Sequence, residues 1–345
     1  MNDPYVMAEN ILSSLPTGID THKVPKNNFR SIDLYDNTIL RKKEAEEACV
    51  PFSLENESGT GDITIYQVFP GIELIYNSIH MEYCGSIQAP RAGVIEINYC
   101  QQGRFECYFG EQSQCYMSPG DLSLRSLQQQ SRQSTFPTSH YHGITVTIDF
   151  SSVTEEMQTV LSLLCVDLSG IDRFSQKQNF CIVRANETVK HIFSELYIVQ
   201  EPIKRGYIKV KVLELLLVLT ALNLDNGKNG HAYFSKTQTD CVKKIRDFMV
   251  EHLSEHFTIE DLSRRFEISP TAMKSCFKEI YGTSVYSYLR TYRLQTAEKF
   301  LQEDILSVAE IAGLIGYENP NKFTSAFHAA YGLSPTAYKK ECLNG

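Results

Sequence analysis

Two short runs of polar and basic side chains carry the chemistry that is easiest to read. Thr271, Lys274, Ser275 and Lys278 follow a Ser269-Pro270 pair, and Asn321, Lys322, Thr324, Ser325 and His328 follow an Asn319-Pro320 pair. Hydroxyl, carboxamide, imidazole and ammonium groups at helical spacing donate and accept hydrogen bonds at fixed directions. That is the chemistry of reading base edges in a major groove. Bond-breaking chemistry needs other patterns. No Gly-x-Ser-x-Gly elbow, phosphate loop or carboxylate pair stands out, so no catalytic residue and no cofactor is assigned.

The elements that must position these runs come from an internal repeat of about 50 residues. Pro270, Met273, Phe277, Tyr281, Gly282, Ser284 and Tyr288 recur as Pro320, Phe323, Phe327, Tyr331, Gly332, Ser334 and Tyr338. Upstream, Thr258 and Leu262 match Ser307 and Ile311 at an offset of 49, one less than in the rest of the repeat. Thr258 with Asp261, and Ser307 with Glu310, read as capping boxes opening a short helix. A turn follows near Glu267-Ile268 and near Gly316-Tyr317. Ser269-Pro270 and Asn319-Pro320 then supply an N-cap and a first-turn proline, and Gly282 and Gly332 supply left-handed stops. Each copy is therefore a helix-turn-helix whose second helix offers its N-terminal polar residues, Ser269 and Asn319 included, to base edges. Ser284 to Gln302 reads as one helix of about 28 Å, close to the ~34 Å repeat of a groove on one face of DNA. Arg290, Arg293, Lys339 and Lys340 are assigned to phosphates, which position without reading sequence.

Residues 240–345 resemble the AraC/XylS family of bacterial transcription regulators. The resemblance rests on Ile311-Ala312-Gly313-Leu314-Ile315-Gly316-Tyr317, then Phe323, Phe327 and Tyr331-Gly332-Leu333-Ser334-Pro335-Thr336-Ala337-Tyr338. The family often has basic residues flanking the second-unit Phe; here Ser325, Ala326, His328 and Ala329 stand there. Unit one keeps Lys274 and Lys278, so it is expected to supply more of the affinity. The resemblance implies a cupin-like N-terminal barrel that binds a small effector, helices that dimerise, a double-stranded DNA operator and RNA polymerase as partners, and activation of transcription.

The N-terminal half has the other period. Ile63–Phe69, Val94–Tyr99, Phe105–Phe109 and Ile144–Phe150 are short β-branched or aromatic runs. Pro70-Gly71, Gln102-Gly103, Phe109-Gly110 and Pro119-Gly120-Asp121 punctuate them, as in a barrel or sandwich. Val153–Cys165, Glu187–Gln200 and Tyr207–Leu224 read as helices. On the last of these Leu213, Leu216, Leu217 and Thr220 share a face, for core packing or for a dimer seam. Weaker signals suggest short helices near Val6–Leu15 and Arg41–Ala48. Glu96, Asn98, Arg104, His140 and His142 are the candidate effector ligands. His140-Tyr141-His142 would put two imidazoles on one strand face, but no Glu follows within six residues, and no metal is assigned. Cys100, Cys107 and Cys115 are expected as small buried hydrophobes. A two-residue Gln102-Gly103 hairpin would set Cys100 and Cys107 diagonally on one face.

The expected fold is α+β in two domains: residues 1–224 sense and dimerise, 225–238 link, and 239–345 form an all-α tandem helix-turn-helix. Composition agrees. The 345 residues are 42% hydrophobic and 21% charged, which suits a globular chain and excludes disorder for its bulk. Residues 240–345 hold 13 Lys+Arg against 14 Asp+Glu, and the preceding residues hold 20 against 27. Neither part is a basic tail that would coat nucleic acid. Val210 to Leu224 is interrupted by Lys211, Glu214 and Asn223 and is too short for a membrane span. With no signal-like N-terminus and no paired CxxC, a cytoplasmic, reduced protein is expected. The rival readings are a cupin-type metalloenzyme with a DNA-binding appendage and a regulator without an effector. DNA alkyl repair is set aside because the cysteines do not cluster.

Overall fold

Alternation of apolar side chains builds the first half of the chain as strands. In the computed structural model, which describes residues 30–36, 38–42, 49–85, 89–109, 113–128, 133–177, 180–184, 187–221, 234–303 and 305–344, they are β1 (Ile39–Lys42), β2 (Cys49–Asn56), β3 (Gly59–Phe69), β4 (Ile72–His80), β5 (Tyr83–Cys84), β6 (Val94–Gly103), β7 (Phe105–Phe109), β8 (Ser113–Met117), β9 (Leu122–Ser126), β10 (Ser134–Thr135) and β11 (Tyr141–Asp149). β12 (Phe180–Val183) and β13 (Phe234–Ser235) join later. They form two antiparallel sheets in the orders β1-β2-β3-β4-β11-β6-β9-β12 and β13-β8-β7-β10-β5. Ile63, Ile75 and Ile79 of the first share a core with Cys107, Cys115 and Met117 of the second. Among the described residues neither sheet closes on itself, so the expected barrel is realised as two facing sheets.

The chain changes sheets at Arg104. β6 ends at Gly103, whose backbone is left-handed and whose missing Cβ admits the His140 carbonyl. The expected Gln102-Gly103 hairpin is therefore absent: β6 pairs with β11 and β9, whereas β7 pairs with β8 and β10. A period of two identifies a strand without naming its partner. Cys107 stands opposite Cys115, with Cys100 on the other sheet, and all three lie in the core between the sheets. Burial pushes the Cys100 thiol up to about 12, consistent with a packing role.

The opposite face of the large sheet carries Ile72, Leu74, Ile144, Val146 and Ile148 and is covered by helices. These are α1 (Glu155–Leu163), α2 (Leu168–Lys177), α3 (Glu187–Ile198) and α4 (Lys204–Ala221). The buried face of α4 is Ile208, Val212, Leu215, Leu216 and Leu219, so the four-residue face expected from spacing divides. Leu216 enters the core, whereas Leu217 is 45% exposed, as is Val210 at 59%. The expected helix at 6–15 lies outside the described residues. Of that at 41–48, Arg41 and Lys42 extend β1, because their partners across the ladder are Ser53 and Phe52, and the rest lies outside. No helix among the described residues is long and apolar enough to cross a membrane.

Helices alone follow: α5 (Lys236–Glu251), α6 (Ile259–Arg265), α7 (Pro270–Tyr281), α8 (Val285–Glu303), α9 (Val308–Leu314), α10 (Pro320–Tyr331) and α11 (Pro335–Asn344). Of the expected linker, residues 225–233 lie outside the described set; Phe234 and Ser235 pair with Gln114 and Ser113 of β8, and Ser235 caps α5 in a full capping box with Gln238. One apolar core gathers α5–α7 and the start of α8 around Phe277. Another gathers the rest of α8 with α9 and α10 around Phe323 and Phe327.

Candidate nucleic-acid interface

Local chemistry builds both helix-turn-helix units alike. Thr258 caps α6 by accepting from the Asp261 amide at 3.1 Å, and Ser307 caps α9 by accepting from Glu310 at 3.3 Å. Only the second is a full capping box, because the Glu310 carboxylate accepts from the Ser307 amide at 2.8 Å. Asp261 is one methylene shorter and takes the Thr258 hydroxyl instead, a bond that lowers its pKa. Ser269 and Asn319 cap α7 and α10 with Pro at the first turn, and Gly282 and Gly332 end them at φ +76° and +75°.

The turn between helices holds an asymmetry. Glu267 has φ +53° and Gly316, its counterpart in the repeat, has φ +81°. A glutamate there carries the ~1–2 kcal/mol left-handed penalty of an L-residue. Glu267→Gly is expected to raise stability by about 0.5–1 kcal/mol, net of the glycine's greater unfolded-state freedom. Gly316→Ala is expected to lower it by at least 2 kcal/mol, since the new Cβ would stand 2.5 Å from the Leu253 carbonyl and 2.6 Å from an Arg293 nitrogen. Urea unfolding of both variants measures the two signs, and equal signs would remove the argument.

The second helices present the expected faces. Met273, Phe277, Phe323 and Phe327 have no exposed surface, whereas Ser269, Thr271, Lys274, Ser275, Lys278, Asn319, Asn321, Lys322, Ser325 and His328 are exposed and Thr324 is half-exposed. Their roles separate. The Ser269 hydroxyl accepts from the Ala272 amide and the Asn319 carboxamide oxygen from the Asn321 amide, so part of each is engaged in capping. Thr324 and Ser325 donate to the carbonyls of Pro320 and Asn321, each at 3.0 Å, and keep lone pairs to accept with. Arg290, Asn321, Lys322, Ser325 and Ala326 line one shallow, open concavity of about 400 Å³ where α8 meets α10. Arg290 of α8 and Asn321, Lys322 and Ser325 of α10 thus meet on one surface.

Arg293 corrects the sequence reading. It is only 8% exposed and donates to the carbonyls of Leu253 and Glu255, both at 2.7 Å. Space for its guanidinium exists because Gly316 lacks a Cβ. It ties α8 to the loop before α6 and to the turn of the second unit, and is not presented to a phosphate. Lys339 is drawn inward, donating to the Leu306 carbonyl at 2.9 Å. Arg290 and Lys340 remain exposed.

The rear of the first unit is docked on the sheets, which sequence periodicity did not announce. Tyr116 of β8, fully buried, lies in the same core as Phe277. Its hydroxyl donates to Glu106 at 3.1 Å, and Lys243 of α5 donates to both Glu106 oxygens at 2.9 Å. Thr239 of α5 bonds Gln114. Arg184 bridges Asp121 at 2.5 Å and Glu279 of α7 at 2.8 Å. Arg104 lies against Gly282, the stop of α7, and burial lowers its pKa.

The five candidate effector ligands do not converge. Glu96 and Asn98 point between the sheets. There Asn98 accepts from Tyr141 at 2.7 Å and from Thr145 at 3.1 Å, and Thr145 accepts from Asn77 at 3.0 Å. Glu96 pairs with Arg125. Arg104 belongs to the joint with α7. His140 and His142 leave the strand on the face opposite Tyr141, whose ring lies in the core between the sheets.

Two helix-turn-helix units sharing one long helix define a tandem helix-turn-helix DNA-binding domain. Residues 262–341 match the family model described as a helix-turn-helix domain. The chain is 29% identical over 145 residues to the HTH-type transcriptional activator RhaR of Pectobacterium atrosepticum, covering 42% of this chain and 51% of that protein. It is 27% identical over 165 residues to the uncharacterized HTH-type transcriptional regulator YdiP of Escherichia coli, covering 47% and 54%. The chain spans about half the length of these curated relatives. Its C-terminal domain is of the helix-turn-helix type.

Proposed function

We propose that this chain is a sequence-specific DNA-binding transcription regulator, an activator that works as a dimer and responds to a small effector held between its sheets. The observation that carries this reading is the pair of second helices, each capped, proline-started and glycine-stopped, with apolar faces buried and polar faces in solvent. Residues 1–224 would sense and dimerise, 225–238 link and 239–345 read DNA. Thr271, Lys274, Ser275, Lys278, Asn321, Lys322, Thr324, Ser325 and His328 would face bases, with Arg290 and Lys340 on phosphates. Val210, Leu213, Leu217 and Thr220 of α4 follow a three-and-four spacing on a partly or fully exposed face, which favours a dimer seam. Glu96 and Asn98 are the effector ligands this reading retains. RNA polymerase would be the partner of the DNA-bound form.

The helix read at 207–224, which the structure shows as α4, is one candidate for carrying the effector signal. Its buried face belongs to the core of the large sheet, and direct links to the C-terminal helices run through Glu106, Tyr116, Asp121 and Arg184. An effector that favours one packing of β7 and β8 would thereby favour one orientation of α7. The test is selection of bound fragments from genomic DNA by the purified full-length protein, followed by affinity measurements over a range of salt. A recovered motif occurring twice at a fixed spacing is expected. So is a modest decline of log affinity with log salt, because few basic residues face the backbone. Sequence-indifferent recovery with a steep decline would remove the proposal.

A further inference from the structure

Three imidazoles that the proposed regulator does not use come together at one end of the large sheet. Tyr141 of β11 pairs with Ile79 of β4. One residue further along each strand, His140 therefore stands beside His80, their Nδ1 atoms 3.3 Å apart. His142 follows on the same face, with its ring centroid 4.7 Å from that of His140 and 5.4 Å from that of His80. One ring nitrogen from each of the three can be chosen so that all lie within 4.8 Å of one another. Two ligands at the 2.0–2.1 Å zinc–imidazole distance on a tetrahedron are about 3.3 Å apart. The His80–His140 separation already has that value, and a His142 ring nitrogen lies within 4.8 Å of a nitrogen of each of the other two.

We propose that His80, His140 and His142 bind one divalent transition-metal ion of the zinc type, through three imidazole nitrogens and with a fourth position open to water. Nitrogen-only donors suit zinc, copper, nickel and iron and disfavour calcium and magnesium. The site lies outside the space between the sheets, because Tyr141, the residue between His140 and His142, turns into that space. It is therefore distinct from the effector site proposed above, and its test does not depend on DNA binding.

Full-length protein stripped with a chelator is titrated with Co²⁺ and then with Zn²⁺. One Co²⁺ per chain is expected, with visible absorption of a low-coordinate nitrogen site and without thiolate charge-transfer bands, and Zn²⁺ should displace it. His140→Ala and His142→Ala should each weaken binding on the order of 100-fold or more, the scale on which even outer hydrogen-bond partners of metal ligands count. His80→Ala, at an exposed position, should do the same without loss of fold, as checked by circular dichroism. His191→Ala, on the exposed side of α3, should leave binding unchanged. Binding that survives the triple alanine variant, that shows thiolate bands from the ten cysteines, or that never reaches one ion per chain would overturn the proposal.

Discussion

Lys243→Ala is expected to lower the stability of the folded chain by about 3 kcal/mol, the lower end of what breaking a buried ion pair costs. The Glu106 side chain has no exposed surface, and its two oxygens accept from Lys243 and from the Tyr116 hydroxyl. Removing the ammonium leaves a carboxylate in a dry site with one neutral donor. The lower end applies because Lys243 is itself about one-third exposed, so water can reach the vacated side. Glu106→Gln in the same background should recover much of the loss, since an uncharged amide needs no counter-charge. Urea unfolding of the single and double variants gives the comparison. If Lys243→Ala costs less than 1 kcal/mol, the joint between sheets and reading domain is not held by this pair.

Asn321→Ala is expected to weaken DNA binding by about 1–3 kcal/mol, roughly fivefold to 150-fold, and to relax preference at one base position. Asn321 is exposed in the first turn of α10, and a carboxamide can pair twice with one adenine edge. Arg290→Ala, on the other wall of the same concavity, should behave differently. It should weaken all sequences alike and reduce the salt slope by roughly one phosphate. Arg293→Ala should reduce binding only through loss of stability, because its guanidinium faces carbonyls inside the protein. Gel-shift titrations against the selected motif and point variants of it separate these three outcomes. An Asn321→Ala protein with unchanged preference at every base would remove α10 as a reader.

How much of this was legible in the sequence follows from how far each cause reaches along the chain. The caps, first-turn prolines and glycine stops of α7 and α10 are local, made within four residues, so Ser269-Pro270 and Gly282 announced them. The buried arginine is not local. Arg293 reads as a surface cation until Gly316, and the carbonyls of Leu253 and Glu255 about 40 residues away, are seen around it. The pairing of Glu106 with Lys243 spans 137 residues and the meeting of His140 with His80 spans 60. No periodicity encodes either. The same limit explains the false hairpin at Gln102-Gly103: alternation showed two strands, and only the change of sheet at Arg104 showed that they are not partners.

Tyr116 gives the first half of the molecule a stake in the second. Its ring is fully buried in one apolar core with Val242, Phe277 and Ile280, so the helices alone would leave that part of the core as an apolar notch. Severing the polypeptide before Ser235 would not release a self-sufficient reader; it would uncork that notch and strand Lys243 without its counter-charge. A truncated version of this chain should therefore be sought together with a replacement for the missing plug, such as a larger side chain grafted onto α5 or α7.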